Sequence, residues 1–502
     1  MVKLIKSITK SISHGVKNDP EIQRLKNKHP KLFRFIKKRL TSDEKFGLYL
    51  TIGSIITLTF IYFFFNLVRD YIGQEAIVKS DYRLFGIFKM FRTPTVNNLM
   101  LFITYLGKGE VIIFSLIIVS IILILLKQRF YFFSLLASVI GGEIFVSIIK
   151  NIIDRPRPAL IDTLVVENSW SFPSGHTFTA ISFYGLLTFF IAHNLKKRWQ
   201  RIIAYTIGLF LIILIGISRI LLGAHWPSDV LASLFSGIAW ISILVTIASI
   251  RKKFSLKEKT EIKTNKKKVI KILPFLAISW LVFVFLFYKT HPFTHIPQTI
   301  EGQSTQIINI EQDLFPNISK YSEDVAGNRI EPIGVIIIGT EENLTNSFVS
   351  AGWIKADPLN FQSVFHQFKT AILRQPYPEI YGTPSFWESK VNNIAFQKPT
   401  TKSSTSYKHH VHFWKTSYVD EKGTPIWVGT GHFDQGFAFY FWLVHTIDPA
   451  IDKERDVIKN DLESINQIDS FQEYQFVQPS LGKNVKDIFF TDGKILVIKL
   501  KS

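Results

Sequence analysis

The chain has 502 residues, enough for more than one domain, and 47% of them are hydrophobic. It contains no cysteine, which excludes disulfides, thiol nucleophiles and thiolate-held metals. The net charge of +20 does not point to nucleic acid, because most of it sits in two segments: residues 1–45 carry 13 Lys and Arg against 4 Asp and Glu, and residues 251–268 carry 9 against 2. Both flank apolar runs, where basic residues mark the cytoplasmic side of a membrane.

Residues 1–45 read as a basic arm in the cytoplasm or on the membrane surface, since the first apolar run starts too late for a signal peptide. Crossing a bilayer by helix takes about 20 apolar residues. Such runs stand near 46–68, 109–126, 130–150, 176–194, 202–221, 229–250 and 269–288. Segment 95–106 is too short to cross alone and reads as an interfacial helix or an extension of the next span. With the arm inside, Lys127, Arg129, Lys196, Lys197, Arg198 and the basic loop 251–268 all fall on the cytoplasmic side. Everything after residue 289 is then delivered to the outer side.

Three polar clusters interrupt the apolar runs, all at outer ends. They are Lys150 through Arg157-Pro158, then Pro173-Ser174-Gly175-His176, then Ser218-Arg219 through His225 to Asp229. Ionisable groups at membrane depth are costly and functional by default. Lys150, Arg157 and Arg219 offer three cations for a phosphate dianion, which arginine can grip with two parallel hydrogen bonds. Pro156 and Pro158 end the third span, with Lys150 on its last turn and Arg157 in the loop beyond. Ser174 and Gly175 immediately precede the fourth span, a position suited to binding phosphate at a helix N-terminus. Pro227 belongs in the first turn of the sixth span, which leaves His225 just outside it and Asp229 in the opening turn. The carboxylate then reaches the Nδ1 proton of His225 and leaves the Nε2 lone pair for attack on phosphorus. His176 suits protonation of the leaving oxygen. Arg155 is not demanded by this pattern and reads as a topology anchor.

The patterns Lys-x6-Arg-Pro, Pro-Ser-Gly-His and Ser-Arg-x5-His-x3-Asp resemble those of the lipid phosphate phosphatases, the type 2 phosphatidic acid phosphatase superfamily, with every position filled. The resemblance implies a six-helix membrane phosphatase core over 46–250. It implies that His225 forms a phosphohistidine, that Asp229 orients it, and that His176 acts as acid and then as base for water. It also implies that Lys150, Arg157, Ser174, Gly175 and Arg219 hold the phosphate, and that no metal cofactor is needed. The expected substrate is a lipid phosphate or diphosphate of the undecaprenyl diphosphate, phosphatidic acid or phosphatidylglycerol phosphate type, met at the outer face of a bacterial inner membrane. A phosphotransferase passing the phosphate to an acceptor hydroxyl, and an inactive envelope scaffold, are the rival readings.

Residues 290–502 read as a separate α+β domain beyond a seventh span over 269–289. Val335–Ile338 has the look of a buried strand, Asn343 to Trp353 of a short helix, and Tyr407 to Trp414 of an alternating strand. Asp448-Pro449 ahead of Asp452 and Glu454 suggests a helix start, with Asp448 as cap. The runs His409-His410-Val-His412-Phe-Trp414 and His445 to Arg455 resemble the LssY-type C-terminal domain, which implies no settled activity. Five of the 13 histidines lie between 409 and 445. His410 and His412 share a strand face, and His432 and Asp434 form a second such pair. Four nitrogen and oxygen ligands would suit zinc, but the spacing matches no recognised zinc signature, so plain structure or a headgroup surface is expected. The aromatics Phe437, Phe439, Tyr440, Phe441 and Trp442 are expected in a core. The expected fold is thus an all-α polytopic membrane helix bundle with one further span and a C-terminal extracytoplasmic α+β domain.

Overall fold

Apolar composition decides the first half of the chain. A computed structural model describes residues 19–40, 47–255, 266–292, 304–373, 382–400, 407–439, 443–484 and 487–501, with 375, 377, 379 and 380. Among these, six helices are long and apolar enough to cross a bilayer: Gly47–Ile72, Arg129–Ile153, Gly175–Asn194, Arg198–Leu221, Pro227–Ile250 and Lys268–Thr290. Pro94–Leu106 and Gly109–Leu125 meet at 49° and make one further span when taken together. Segment 95–106 corresponds to the first helix of this bent pair. The bend falls at Gly107, where a Cβ would stand 3.2 Å from the His176 carbonyl oxygen and 2.7 Å from Ile215. Only glycine lets the backbone pass that close to the start of the fourth span.

The fourth span is the most enclosed of the set, and the first and seventh are the least. The third helix ends at Ile153, closed by Asp154 in the left-handed region ahead of the two prolines. Within the arm, Pro20–Lys28 and Pro30–Leu40 are helical. Most of the basic loop, 256–265, lies outside the described residues.

One helix was not legible as an element. Ala76–Met90 follows the first span and buries Asp81, Arg83 and Phe85. Phe85 joins Ile220, Trp226 and Val230 in a small apolar cluster, with Phe88 against it. The helix thereby lies against the end of the fifth span and the beginning of the sixth.

The C-terminal domain is built on a nine-stranded sheet. Its main path runs Ile468–Gln475, Lys494–Leu500, Val335–Ile338, Pro425–Phe439, Tyr407–Val419, Ile394–Pro399 and Ile354–Lys355. Neighbours are antiparallel except for Lys494–Leu500 with Val335–Ile338. Both faces are covered. Ile336, Ile338, Trp414 and Val428 enter one core, and Val335, Ile337, Phe413 and Trp427 enter the other with Phe348 and Ile458 from helices. This is the period-2 alternation of a strand between two apolar layers.

Two boundaries differ from expectation. The helix read over Asn343 to Trp353 runs Glu341–Ser350, capped by Thr340. The helix read from Asp448 starts at Asp452 instead. Asp448 accepts from its own neighbour Ala450 N at 2.8 Å, and the Pro449 carbonyl accepts from Phe490 N at 2.9 Å, so 448–451 is a turn tied to a strand. Residues 440–442 and the side chains of Phe437 and Phe439 lie outside the description, and the core expected there with them.

Candidate active site

The three clusters meet at one end of the bundle, between the ends of the third to sixth spans. Lys150, on the last turn of the third, donates to Ser169 Oγ at 3.2 Å and to the Trp170 carbonyl. Arg157, between Pro156 and Pro158, donates to Ser169 O at 2.6 Å and to Ala224 O at 2.5 Å. The two cations thus grip one stretch of the 154–174 loop from the same side. Burial and the nearby Arg219 bring the Arg157 guanidinium down to about 10, still cationic at neutral pH. Arg219 is 1% exposed and donates to Thr104 Oγ1 at 2.8 Å and to Glu167 at 2.5 Å, while its Nε is buried with no partner.

Arg157 also determines how His225 is protonated. Its Nη1 lies 3.2 Å from His225 Nε2. A guanidinium has donors only, so Nε2 must present its lone pair and Nδ1 must carry the proton. Nδ1 faces Ser171 Oγ at 3.4 Å and Asp229 Oδ2 at 3.5 Å. Burial, and then the charges of Arg157 and Lys150, hold His225 well below the usual imidazole range. The ring is neutral, with Nε2 turned toward Arg157.

Asp229 does not work alone. Its Oδ2 accepts from the Ser171 hydroxyl and from Trp226 N at 2.9 Å, and its Oδ1 accepts from Arg155 at 2.7 Å. The expected direct contact to His225 is stretched because Ser171 stands beside it and shares the same oxygen. Arg155 is not a topology anchor. It is 3% exposed and bridges Asp229 to Asp81, whose Oδ2 it meets at 2.6 Å, under the faces of Tyr71 and Trp226. Ser228 completes the knot, with its amide on Asp81 Oδ1 at 2.8 Å.

Ser174 is tied into the protein at both its amide and its hydroxyl. Its amide is given to the Asp229 carbonyl at 3.2 Å, and its hydroxyl accepts from Thr177 at 3.0 Å. It locks the turn rather than capping the fourth span, whose first-turn amides begin at Gly175 without a side-chain cap. Those are the amides a phosphate oxygen would meet. His176 stands in that turn, within electrostatic reach of Glu167, Arg219 and Arg157. Glu167 is a further residue the sequence did not mark. Burial alone would raise its carboxyl, but Arg219, His176 and Arg157 hold it well below the carboxylate range.

Sequence reasoning passed over Asp81, Ser171, Glu167 and Ser228 and misread Arg155, because none of them is a position that the three patterns specify. Arg155 alone carried a signal, a third arginine-range charge too deep to be cheap. In the C-terminal domain, strand pairing sets His432 opposite His410 and Asp434 opposite Lys408, so His410, His432 and Asp434 come together with His412 beside them.

A family model described as the PAP2 superfamily matches residues 131–253, and one described as the LssY C-terminus matches residues 315–495. The chain thus carries a PAP2-superfamily domain followed by an LssY-type C-terminal domain. The PAP2 half is 27% identical over 180 residues to phosphatidylglycerophosphatase B of Bacillus subtilis, covering 36% of this chain and 88% of that protein. It is 26% identical over 192 residues to an undecaprenyl-diphosphatase of Sulfolobus acidocaldarius, covering 37% and 87%. The crystal structure of a transmembrane PAP2 type phosphatidylglycerolphosphate phosphatase from Bacillus subtilis aligns over 38% of this chain and 96% of its own, at 25% identity and a TM-score of 0.37.

Ser171 is the position where the PAP2 site can be probed without touching a charge. Ser171→Ala removes the hydroxyl that holds Asp229 Oδ2 beside His225 Nδ1. Losing one buried hydrogen bond costs about 1–3 kcal/mol. The expected result is a kcat at least fivefold lower with KM unchanged, and partial rescue by Ser171→Thr, read from steady-state kinetics on a lipid phosphate.

Proposed function

We propose that this PAP2 domain hydrolyses a lipid phosphate or diphosphate through a phosphohistidine on His225, at the outer face of the membrane. The observation that carries the reading is a neutral, buried His225 whose Nε2 lone pair is turned toward Arg157. Nε2 attacks phosphorus, and the bond from phosphorus to the leaving oxygen breaks. Arg157, Arg219 and Lys150 take up the charge on the phosphoryl oxygens as it develops. The leaving oxygen takes a proton from His176. Asp229 and Ser171 hold the Nδ1 proton while the ring becomes cationic. Water then attacks the phosphohistidine and gives its proton to His176, which releases phosphate and restores both histidines. Fixed cations do the electrostatic work that a metal does elsewhere, in keeping with the metal independence of the family.

The names of the relatives support a substrate of the phosphatidylglycerol phosphate or undecaprenyl diphosphate type, with phosphatidic acid in the same class. The outer orientation rests on the basic segments, which all fall opposite the clusters. A topology reporter fused after residue 250 is expected to read cytoplasmic, and one fused after residue 289 or at the C-terminus to read outside. A cytoplasmic reading at the C-terminus would mean that the seventh helix does not cross.

The two histidines should separate by leaving group. His225→Ala is expected to abolish turnover of every ester, because the covalent bond cannot form. His176→Ala should lose about 10²–10⁴-fold on a lipid phosphate, the usual worth of a general acid. On an aryl phosphate with an acidic phenol the first step should be largely spared, and phosphoenzyme labelled on His225 should accumulate for want of a base for water. Equal loss on both esters with no trapped phosphoenzyme would remove His176 from the acid role. Phosphate release with water as the sole acceptor separates hydrolysis from transfer to a hydroxyl.

A further inference from the structure

The C-terminal domain holds a second cluster of titratable groups that the proposed phosphatase chemistry does not use. His410, His432 and Asp434 each offer one ligand atom, and these atoms all lie within 4.8 Å of one another. His410 is 4% exposed and Asp434 0%. The contacts within the group are long for hydrogen bonds: His432 Nε2 is 3.4 Å from Asp434 Oδ1, and His410 Nδ1 is 3.9 Å from Asp434 Oδ2. Charge-assisted N–H···O bonds run about 2.7–2.9 Å. Two ligands on one tetrahedral zinc, with bonds of about 2.0–2.1 Å, stand about 3.3 Å apart. The spacing suits donors around a common centre better than donors to one another. The surroundings agree with this. Glu331 accepts from His432 Nδ1 at 3.1 Å and is itself held by Asn484 at 2.6 Å. That is the carboxylate–histidine arrangement that aims the other ring nitrogen at a metal. His412, its ring 4.4 Å from that of His410, is 4% exposed with Nδ1 buried and without a partner.

We propose that His410, His432 and Asp434 bind a divalent transition-metal ion of the zinc class, with Glu331 orienting His432. The site is independent of the membrane chemistry. The full-length protein in detergent, stripped with chelator, is titrated with Co2+ as the probe. One equivalent is expected to bind, with the visible bands of a low-coordinate cobalt site, and Zn2+ should bleach them. The bands should vanish in His432→Ala and Asp434→Asn, and Glu331→Gln should weaken binding by about 10–100-fold. They should persist in His409→Ala, since His409 pairs with Glu454 at 2.9 Å instead, and in His225→Ala, which excludes the membrane site. No stoichiometric cobalt in the unsubstituted protein would overturn the proposal and leave His432 as an imidazolium between two carboxylates. So would bands that survive in folded Asp434→Asn protein.

A second inference rests on a different observation. Helix Phe361–Leu373 is amphipathic the wrong way round for a soluble domain. Phe361, Phe365, Phe368 and Ile372 are 51%, 70%, 65% and 65% exposed, and their spacing of four, three and four residues makes one stripe. The polar Ser363 and Thr370 face inward, each 5% exposed. The stripe begins where the domain meets the membrane half. The Phe361 ring lies 4.9 Å from that of Phe91, and the next residue, Arg92, donates to the Leu221 carbonyl at the end of the fifth span at 2.6 Å. The geometry points to the lipid bilayer as the occupant of this stripe, at the level where the spans leave it. Gln362, His366 and Lys369 flank the stripe on one side, as on a helix lying in the interface.

Because the chain has no cysteine, single labels can be placed directly. Spin labels at Phe365→Cys and Phe368→Cys in proteoliposomes should be more accessible to oxygen than to a water-soluble nickel chelate. A label at Gln362→Cys should show the reverse. Nickel accessibility at 365 and 368 would overturn the inference, as would dipolar coupling between labels, which would make the stripe a contact between copies of the chain.

Discussion

A buried guanidinium holds the catalytic end of this protein together. Arg155 lies between Asp229 and Asp81, and all three are at most 3% exposed. Withdrawing such charges from water costs several kcal/mol each, which mutual attraction offsets only when geometry and extra hydrogen bonds are good. Here they are supplied by Ser228, Ser171 and the Trp226 amide. Remove any member and a buried charge is left uncompensated, which is why the proposed nucleophile's partner cannot drift. The network is costly in stability and rigid in return.

The same knot ties the two halves of the chain. Asp81 and Arg83 lie on the one short helix Ala76–Met90, two residues apart. Asp81 turns inward to Arg155, while Arg83, 3% exposed, meets Glu323 of the LssY-type domain at 2.6 Å. Gly327 passes so close that a Cβ would stand 2.9 Å from the Arg83 guanidinium. The helix is therefore braced from both sides, and the position of the C-terminal domain and the position of the Asp229 carboxylate share a support. This is contiguity of packed, charged contacts; coupling between the halves is a separate quantity that only double-mutant cycles measure.

Charge in the site itself is arranged rather than neutralised. Arg157, Arg219 and Lys150 converge, and the carboxylates acting on them are Glu167, paired with Arg219, and Asp229, held by Arg155. Burial, and then this excess of fixed cation, holds His225 well below the usual imidazole range, and Arg219 Nε is buried without a partner among them. The LssY-type domain shows the opposite balance, with carboxylates Glu331 and Asp434 drawing histidines around them. An anion suits the first site and a cation the second.

Apolar length and proline positions are local constraints, so they marked the candidate membrane spans and the polar clusters at their ends, while the residues proposed for chemistry were legible through the resemblance of those clusters to the PAP2 pattern. Periodicity also determined that His410 and His412 share a face, since strand alternation is local too. What the sequence could not determine is who stands opposite whom. Asp81 and Asp229 are far apart in the chain and meet only through Arg155. Ser171 reaches the Asp229 carboxylate only because the loop folds back over the fourth span. His432 meets His410 only through the register of two strands. Helix Ala76–Met90 and the outward stripe of Phe361–Leu373 carry no unusual composition, and their meaning lies in which face is covered. Partners of buried charges and the covered side of a helix are decided by long-range packing, and that exists only once the chain is folded.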